Sequence, residues 1–466
     1  MVAALVAMAG RYGYHRDELY FVEAGRHLSW GYVDQGPLTP LLARAMTELA
    51  SGSLTVLRVP SALMTGAIVL LTALLARELG GSRRAELIAA GCAAIGVVFL
   101  SAGHLLSTTT FDLLAWTALT YLVVRAVRRG EDRLWPVAGV VLGLGLLNKP
   151  LPAFLAAGLL AGVAIAGPRR LIRSPWVWAG AAVALVMWMP WLVWQADRGW
   201  PQAEVSRSIA EGGSTSSEPR WAIVPFQLLL VSPLLAPVWV AGLVRLFRDP
   251  ALRDLRFLAW AWVVLAVAFM VTGGKPYYLA GLLPLLIAAG AGAADRWLEH
   301  GRRGARRVAL GAAFALSFVI GVPIGLPVLP VEHIEPVLAA NDDVGNTVGW
   351  PGFVEQVAAV HEPGAVIFTR NYGQAGAIDR YGPDLGLPRA YSGHNAYHEW
   401  GPPPDAAGPV VVVGEVEREG FRDCTLADRI EIEAGVENEE QGTEVWTCAG
   451  TARPWSELWP DLERFG

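Results

Sequence analysis

The 466-residue chain has little charge, little lysine and little cysteine, and each scarcity removes a class of protein. Only 17% of its residues are charged against 53% hydrophobic, far from the balance of an ordinary soluble domain, so the bulk of the chain is not a water-soluble enzyme. There are three cysteines and no CxxC pair, which removes a Cys-based metal site. No GxxxxGK[ST] loop, no GxGxxG opening a helix after a strand and no HExxH occurs, so the sequence offers no evidence for ATP coupling or dinucleotide use. A net charge of −5 argues against nucleic acid as a partner.

What is present is a series of apolar stretches, long enough at about 17 to 25 residues to cross a hydrocarbon core roughly 30 Å thick. Ten such spans are expected, near 54–76, 85–102, 111–127, 134–149, 151–167, 175–194, 221–244, 256–273, 277–294 and 308–329. Before them, Met1 to Ala9 form a stub that is too short to span and has no signal-peptide cleavage region; the expectation is a trimmed first span or a misplaced start. Alternate loops are rich in arginine, among them Arg125, Arg128, Arg129 and Arg133, and Arg302, Arg303, Arg306 and Arg307. Basic loops accumulate on the cytoplasmic side, which puts the intervening loops, the segment 10–52 and everything after about 331 outside.

The tail from 331 to 466 carries 24 Asp plus Glu against 8 Arg. Short β-like runs at 365–369 and 409–416 and a helical pattern over 350–360 predict a small soluble α/β domain. Cys424 and Cys448 both fall in this outer part, where a disulfide can persist; Cys92 lies in a span and reads as a small buried hydrophobe. The expected architecture is thus an all-α polytopic membrane domain, residues 1–330, of about ten to eleven transmembrane helices, followed by a soluble α/β domain, 331–466, outside the membrane.

Candidate chemistry clusters at the outward ends. Asp17 and Glu18 open the loop 10–52 among Tyr, Trp and Phe, and Asp34 follows before a Gly-Pro. Adjacent carboxylates are often just solvated charges, but aromatic walls with fixed carboxylates also suit sugar handling. Of 37 basic residues only Lys149 and Lys275 are lysine; both sit at outward span ends and both precede Pro. Each either snorkels from a helix end or presents a compact ammonium to an anionic headgroup, for which a phosphate is the natural partner. His104 and Asp112 share a short outer turn, where a lone His is more often structural than catalytic. Tyr277 and Tyr278 fit either a phosphate contact or the interfacial aromatic belt.

The ordered set "YHRDELYF…GRHLSWGYVDQGPLTPLLAR", His104, Asp112, "GLGLLNKP" and "GKPYYLAGLLPLL" resembles bacterial glycosyltransferase family 39, of the GT-C fold class, whose better-known relatives are protein O-mannosyltransferases and lipid A aminoarabinose transferases. The resemblance covers roughly residues 10–300. It implies transfer of a sugar, with mannose favoured, from a polyprenyl-phosphate carrier to a protein, lipid or polysaccharide hydroxyl on the outer face. Asp17 would be the general base beside Glu18. Lys149, Lys275, Asp34, His104, Asp112, Tyr277 and Tyr278 would serve the substrate and carrier phosphate. Relatives often have a Lys or a Pro-Pro where this chain has Gln35 and Gly36. No cofactor is called for beyond the donor itself, and a role for a divalent metal stays open.

The residues agree with that chemistry. A phosphate-linked sugar already carries a leaving group, so the protein has to deprotonate the acceptor and neutralise the departing phosphate. Glycoside hydrolysis also uses two carboxylates, yet leaves the lysines and the spans unexplained. The rival is a transporter or flippase for a lipid-linked sugar, which calls for ionisable residues near mid-membrane and broken helices paired across repeats.

Overall fold

The structure is a computed structural model describing residues 1–212, 219–415 and 420–465. Its contacts divide the chain into two compact units: Met1–Met8, Gln35–Leu38 and Arg58–Leu326 form the first, and Ala9–Asp34, Thr39–Leu57 and Pro327–Gly466 the second. This division is not the cut at residue 330 expected from composition. Most of the loop 10–52 is grouped with the tail.

In the first unit every expected span is helical. Among the described residues six helices are long and apolar enough to cross a membrane: Leu54–Glu78, Thr108–Arg129, Pro175–Asp197, Pro250–Thr272, Pro276–Glu299 and Arg303–Gly325. Two helix pairs are apolar enough only when taken together and are bent, Arg83–Ile95 with Val97–His104 at 55° and Arg220–Val231 with Ala236–Arg248 at 119°, each a broken span or a re-entrant loop. The chain is a multi-pass membrane protein. Two segments read as full spans fall short: Leu134–Leu146 and Leu151–Ala166 have 13 and 16 residues. At about 1.5 Å per residue they reach roughly 20 and 24 Å, less than the hydrocarbon thickness. The turn through Asn148, Lys149 and Pro150 takes the missing length out of an apolar run that looks continuous.

The arginine-rich loops gather at one end of this unit. Arg77 donates to both oxygens of Glu86 at 2.9 and 2.8 Å, Arg129 to both oxygens of Glu78 at 3.0 and 2.6 Å, and Arg84 to Asp295 at 3.0 Å. Buried Arg245 donates to Asp249 and to the carbonyls of Ala289 and Leu79. These pairs tie together the same ends of five helices.

The second unit contains a five-stranded sheet. With β1 Val366–Thr369, β2 Ala390–Ser392, β3 Val410–Val413, β4 Phe421–Arg422, β5 Thr425–Arg429, β6 Glu444–Cys448 and β7 Gly450–Thr451, the order is β2-β1-β3-β6-β5. β1 is parallel to β2 and β3, whereas β6 is antiparallel to β3 and β5. β4 and β7 form a separate antiparallel pair. Strands β1 and β3 and the helix Trp350–Val360 lie where the sequence placed them; Val416, the last residue of the expected 409–416 run, lies outside the described residues. Phe368, Val410, Val412, Trp455 and Trp459 pack one apolar cluster. Cys424 and Cys448 are joined in a disulfide, and Cys92 is free and buried.

The helix Arg16–Arg26 packs along the helix Tyr372–Tyr381, and glycine lets them approach. A Cβ on Gly376 would stand 2.9 Å from Leu19 Cβ, and one on Gly373 2.8 Å from Arg16 Cβ. Gly376→Val therefore has to separate two packed helices, and overpacking of this kind costs about 1–3 kcal/mol. The expected outcome is a clear drop in the unfolding midpoint of the purified protein, followed by tryptophan fluorescence, with the far-UV helical signal of the membrane unit kept.

One turn beyond Gly376, the Asp379 carboxylate accepts the Ala390 N–H at 2.8 Å and the Tyr397 hydroxyl at 3.0 Å. Burial, reinforced by the Glu23 carboxylate, pushes its pKa up to about 6. The folded protein thus holds this proton through a pH range in which an unfolded Asp has lost it. Stability from this group is greatest below about pH 4, the unfolded value, and declines until pH passes about 6. Asp379→Asn removes the proton exchange. Denaturant unfolding at pH 4.5 and 7 should show a smaller loss toward pH 7 in the variant than in the wild type, by about 1 to 2 kcal/mol.

Candidate active site

Asp17 and Glu18, adjacent in sequence, are separated in role by a helix start. His15 caps the helix Arg16–Arg26: its Nδ1 accepts the Asp17 N–H at 3.2 Å, and its own N–H donates to Glu18 Oε2 at 2.9 Å, completing a capping box. Glu18 is 0% exposed. Expected beside Asp17 as a catalytic partner, Glu18 has its carboxylate turned inward to close the helix, because neighbouring residues on a helix point about 100° apart. Asp17 keeps 39% of its side chain exposed.

The tail supplies what surrounds Asp17. The Tyr372 hydroxyl donates to Asp17 Oδ1 at 2.8 Å, and the Tyr20 hydroxyl donates to Asp34 Oδ1 at 2.8 Å. The two phenol rings are stacked on each other, 4.7 Å between centroids. A pair of stacked tyrosines thus holds one carboxylate each. Burial first, then the neighbouring carboxylate, raises both phenols well above their usual range, so both hydroxyls stay donors throughout the neutral range. Arg16 pairs with Glu439 and lies 3.7 Å from Asp17 Oδ1.

In the membrane unit a small recess is lined by Thr109, Asp112, Leu113, Trp116, Lys149, Leu151, Tyr277, Tyr278 and Gly281. Lys149 Nζ lies 5.8 Å from the centre of the Tyr278 ring. Asp112 accepts from Asn148 Nδ2 at 3.3 Å, and the same amide donates to Thr108 O at 2.9 Å. The turn carrying Asn148 and Lys149 is itself braced: Gly36 N–H donates to Asn148 O at 2.9 Å and Leu38 N–H to Leu147 O at 3.1 Å. Gly36 is needed for that approach, since a Cβ there would stand 2.0 Å from Leu147 O. The helix Thr108–Arg129 runs from this recess to the arginine network, so the recess occupies the opposite end of the unit from the basic loops.

Of the expected phosphate-site residues, the structure brings Asp112, Lys149, Tyr277 and Tyr278 to one recess. Lys275 stands outside that lining, half-buried at the start of the 3-10 helix Pro276–Leu282. His104 ends the helix Val97–His104, buried, with Nε2 3.2 Å from Arg58 Nη1, and is not among the residues lining the recess. The sequence reading missed Tyr20, Tyr372, Glu439 and Asn148. Asn371 and Gln374, three positions apart, did carry the capping-box signature of a helix start beside Tyr372, and both boxes form.

The profile of the dolichyl-phosphate-mannose-protein mannosyltransferase family matches residues 34–194. The chain is 31% identical over 256 residues to undecaprenyl phosphate-alpha-4-amino-4-deoxy-L-arabinose arabinosyl transferase 1 of Pseudomonas fluorescens, covering 51% of this chain and 46% of that protein. It is 28% identical over 297 residues to the lipopolysaccharide core galacturonosyltransferase RgtB of Rhizobium johnstonii, covering 63% of this chain and 59% of that protein. The chain therefore spans about half the length of the arabinosyl transferase it matches. Its fold is similar, with a TM-score of 0.62 at 15% identity over 96% of both chains, to ArnT from Cupriavidus metallidurans, solved bound to undecaprenyl phosphate. A TM-score of 0.53 relates it to the mycobacterial arabinofuranosyltransferase AftD, at 15% identity over 96% of this chain and 39% of that one. The resemblance to bacterial glycosyltransferase family 39 that the sequence motifs carry is thus supported by relatives and by structure alike, and the architecture is the GT-C fold of membrane glycosyltransferases.

Proposed function

We propose that this protein is an integral membrane glycosyltransferase that moves a sugar from a polyprenyl-phosphate carrier to an acceptor hydroxyl. The observation that carries the reading is the recess holding Lys149 with Tyr277, Tyr278 and Asp112, at the end of the membrane unit away from the arginine network. By the positive-inside rule that end faces outward, where a lipid phosphate lies at the membrane surface. The names of the curated relatives, a lipid-linked aminoarabinose transferase and a galacturonosyltransferase, support the same reaction class.

In this reading the acceptor oxygen forms a bond to the anomeric carbon while the bond from that carbon to the phosphate oxygen breaks. Asp17 takes the acceptor's proton, and the phosphate leaves on the carrier with its charge neutralised by Lys149. One displacement at carbon inverts the configuration. Mannose, favoured from the family resemblance, has the support of the matching family description, whereas the two relatives are named for other sugars. A flippase for the same lipid is the second reading, and the two bent helix pairs are the feature that favours it.

The test uses the full chain in nanodiscs with polyprenyl-phosphate-linked mannose, galacturonic acid and aminoarabinose as donors, following transfer and lipid translocation separately. Transfer with one of them, lost at least a hundredfold in Asp17→Asn without loss of fold, is the expected result. Translocation without transfer would leave the flippase. For the phosphate, truncating one partner of a desolvated charge pair costs about 2–5 kcal/mol. Lys149→Ala should therefore weaken carrier-lipid binding by tenfold or more, and Lys149→Arg should restore it only in part, because a guanidinium differs in shape from an ammonium. Lys275→Ala should do less, and Arg128→Ala should leave that affinity unchanged. Wild-type affinity in Lys149→Ala would remove the recess as the phosphate site.

A further inference from the structure

We propose that Tyr372, contributed by the C-terminal tail, is a positioning residue for Asp17, so that the tail forms part of the acid-base apparatus and is more than a cover or a docking module. The inference rests on the assignment of Asp17 as the base. The Tyr372 hydroxyl donates to Asp17 Oδ1 at 2.8 Å, and the Asp17 side chain keeps 39% of its surface exposed.

What makes this contact a positioning device is how little freedom Tyr372 has. Its ring stacks on Tyr20, 4.7 Å between centroids, and meets the His394 ring, also 4.7 Å away. Its backbone opens a helix whose cap is doubly closed: Asn371 Oδ1 accepts the Gln374 N–H at 2.9 Å, and Gln374 Oε1 accepts the Asn371 N–H at 3.3 Å. Both side chains are then tied to one buried carboxylate, Asn371 Nδ2 to Glu440 Oε1 at 3.1 Å and Gln374 Nε2 to Glu440 Oε2 at 2.6 Å. The next glutamate, Glu439, receives Arg16, the residue before Asp17. Two successive tail residues therefore fix both the donor to Asp17 and the charge beside it. Burial keeps the Tyr372 phenol protonated, so it stabilises the ionised form of Asp17 and orients one oxygen.

Tyr372→Phe removes the hydroxyl and keeps both ring contacts. A hydrogen bond to a charged group is worth about tenfold or more in an equilibrium. In the variant, turnover of the best of the three lipid-linked donors should fall about tenfold with KM for the carrier unchanged. The acid limb of the pH-rate profile should move up by about one pH unit. The thermal midpoint should stay close to wild type. A readout independent of turnover is carbodiimide labelling of Asp17, which needs the protonated carboxyl: followed against pH by peptide mass mapping, its midpoint should rise by about the same amount. Unchanged turnover and an unchanged labelling midpoint in Tyr372→Phe, with Asp17→Asn inactive, would overturn the positioning role and leave the base assignment standing. Activity retained in Asp17→Asn would instead remove the base assignment, whatever Tyr372→Phe does. A lowered midpoint of unfolding with proportionate loss of turnover and no movement of the pH profile would make Tyr372 a structural residue only.

Discussion

The stacking of Tyr20 on Tyr372 is the contact on which the candidate chemistry of the second unit depends. One ring comes from the helix that starts the chain's first loop and the other from the tail, and each hydroxyl is spent on a different carboxylate. Rotating either ring to release its carboxylate means losing the face of the other. Around this pair Tyr397 and Trp400 stand within 6.4 and 6.3 Å of Tyr20, and His27 stacks on Trp400 at 4.4 Å, extending the aromatic wall. The close approach at Gly373 and Gly376 is what lets the two helices carry their tyrosines this near.

The membrane unit obeys a different constraint, the separation of charge between its ends. At one end Arg77, Arg84, Arg129 and Arg245 are paired with Glu86, Asp295, Glu78 and Asp249, so these four charges are met within the protein. At the other end Lys149 lies beside Asp112, Tyr277 and Tyr278 in an open recess. Arg serves the pairing at the basic end, where a planar fork donates two bonds, whereas Lys149 brings a compact ammonium to the recess. The same turn that exposes Lys149 costs the neighbouring helices the length to cross the bilayer unaided.

Much of this was legible in local patterns and the rest was not for identifiable reasons. Apolar runs marked every membrane helix, and strands β1 and β3 were visible as β-branched runs. Helix length was misjudged at 134–149, where a single Pro following Lys149 hides a four-residue turn. Asp17, Asp34, Asp112, Lys149, Tyr277 and Tyr278 stood out by residue type in apolar surroundings, but type alone could not divide Asp17 from Glu18, since a capping box is written in backbone geometry as much as in sequence. The sequence could not divide the structural from the functional reading of His104, because Arg58, its partner, lies 46 positions away. Tyr372 carried no sign of its role at all: 355 residues separate it from Asp17, and no local pattern reaches that far.

That separation has a consequence for how the protein matures. The segment holding Asp17 emerges early in synthesis, while the helix that holds its oxygen in place is made after the membrane helices. Contacts so distant in the chain close late and slowly, because the intervening loop must first be ordered. A nascent chain therefore carries Asp17 without its tyrosine donor through most of its biogenesis, and the hydrogen bond between them forms only when the tail folds against the first loop.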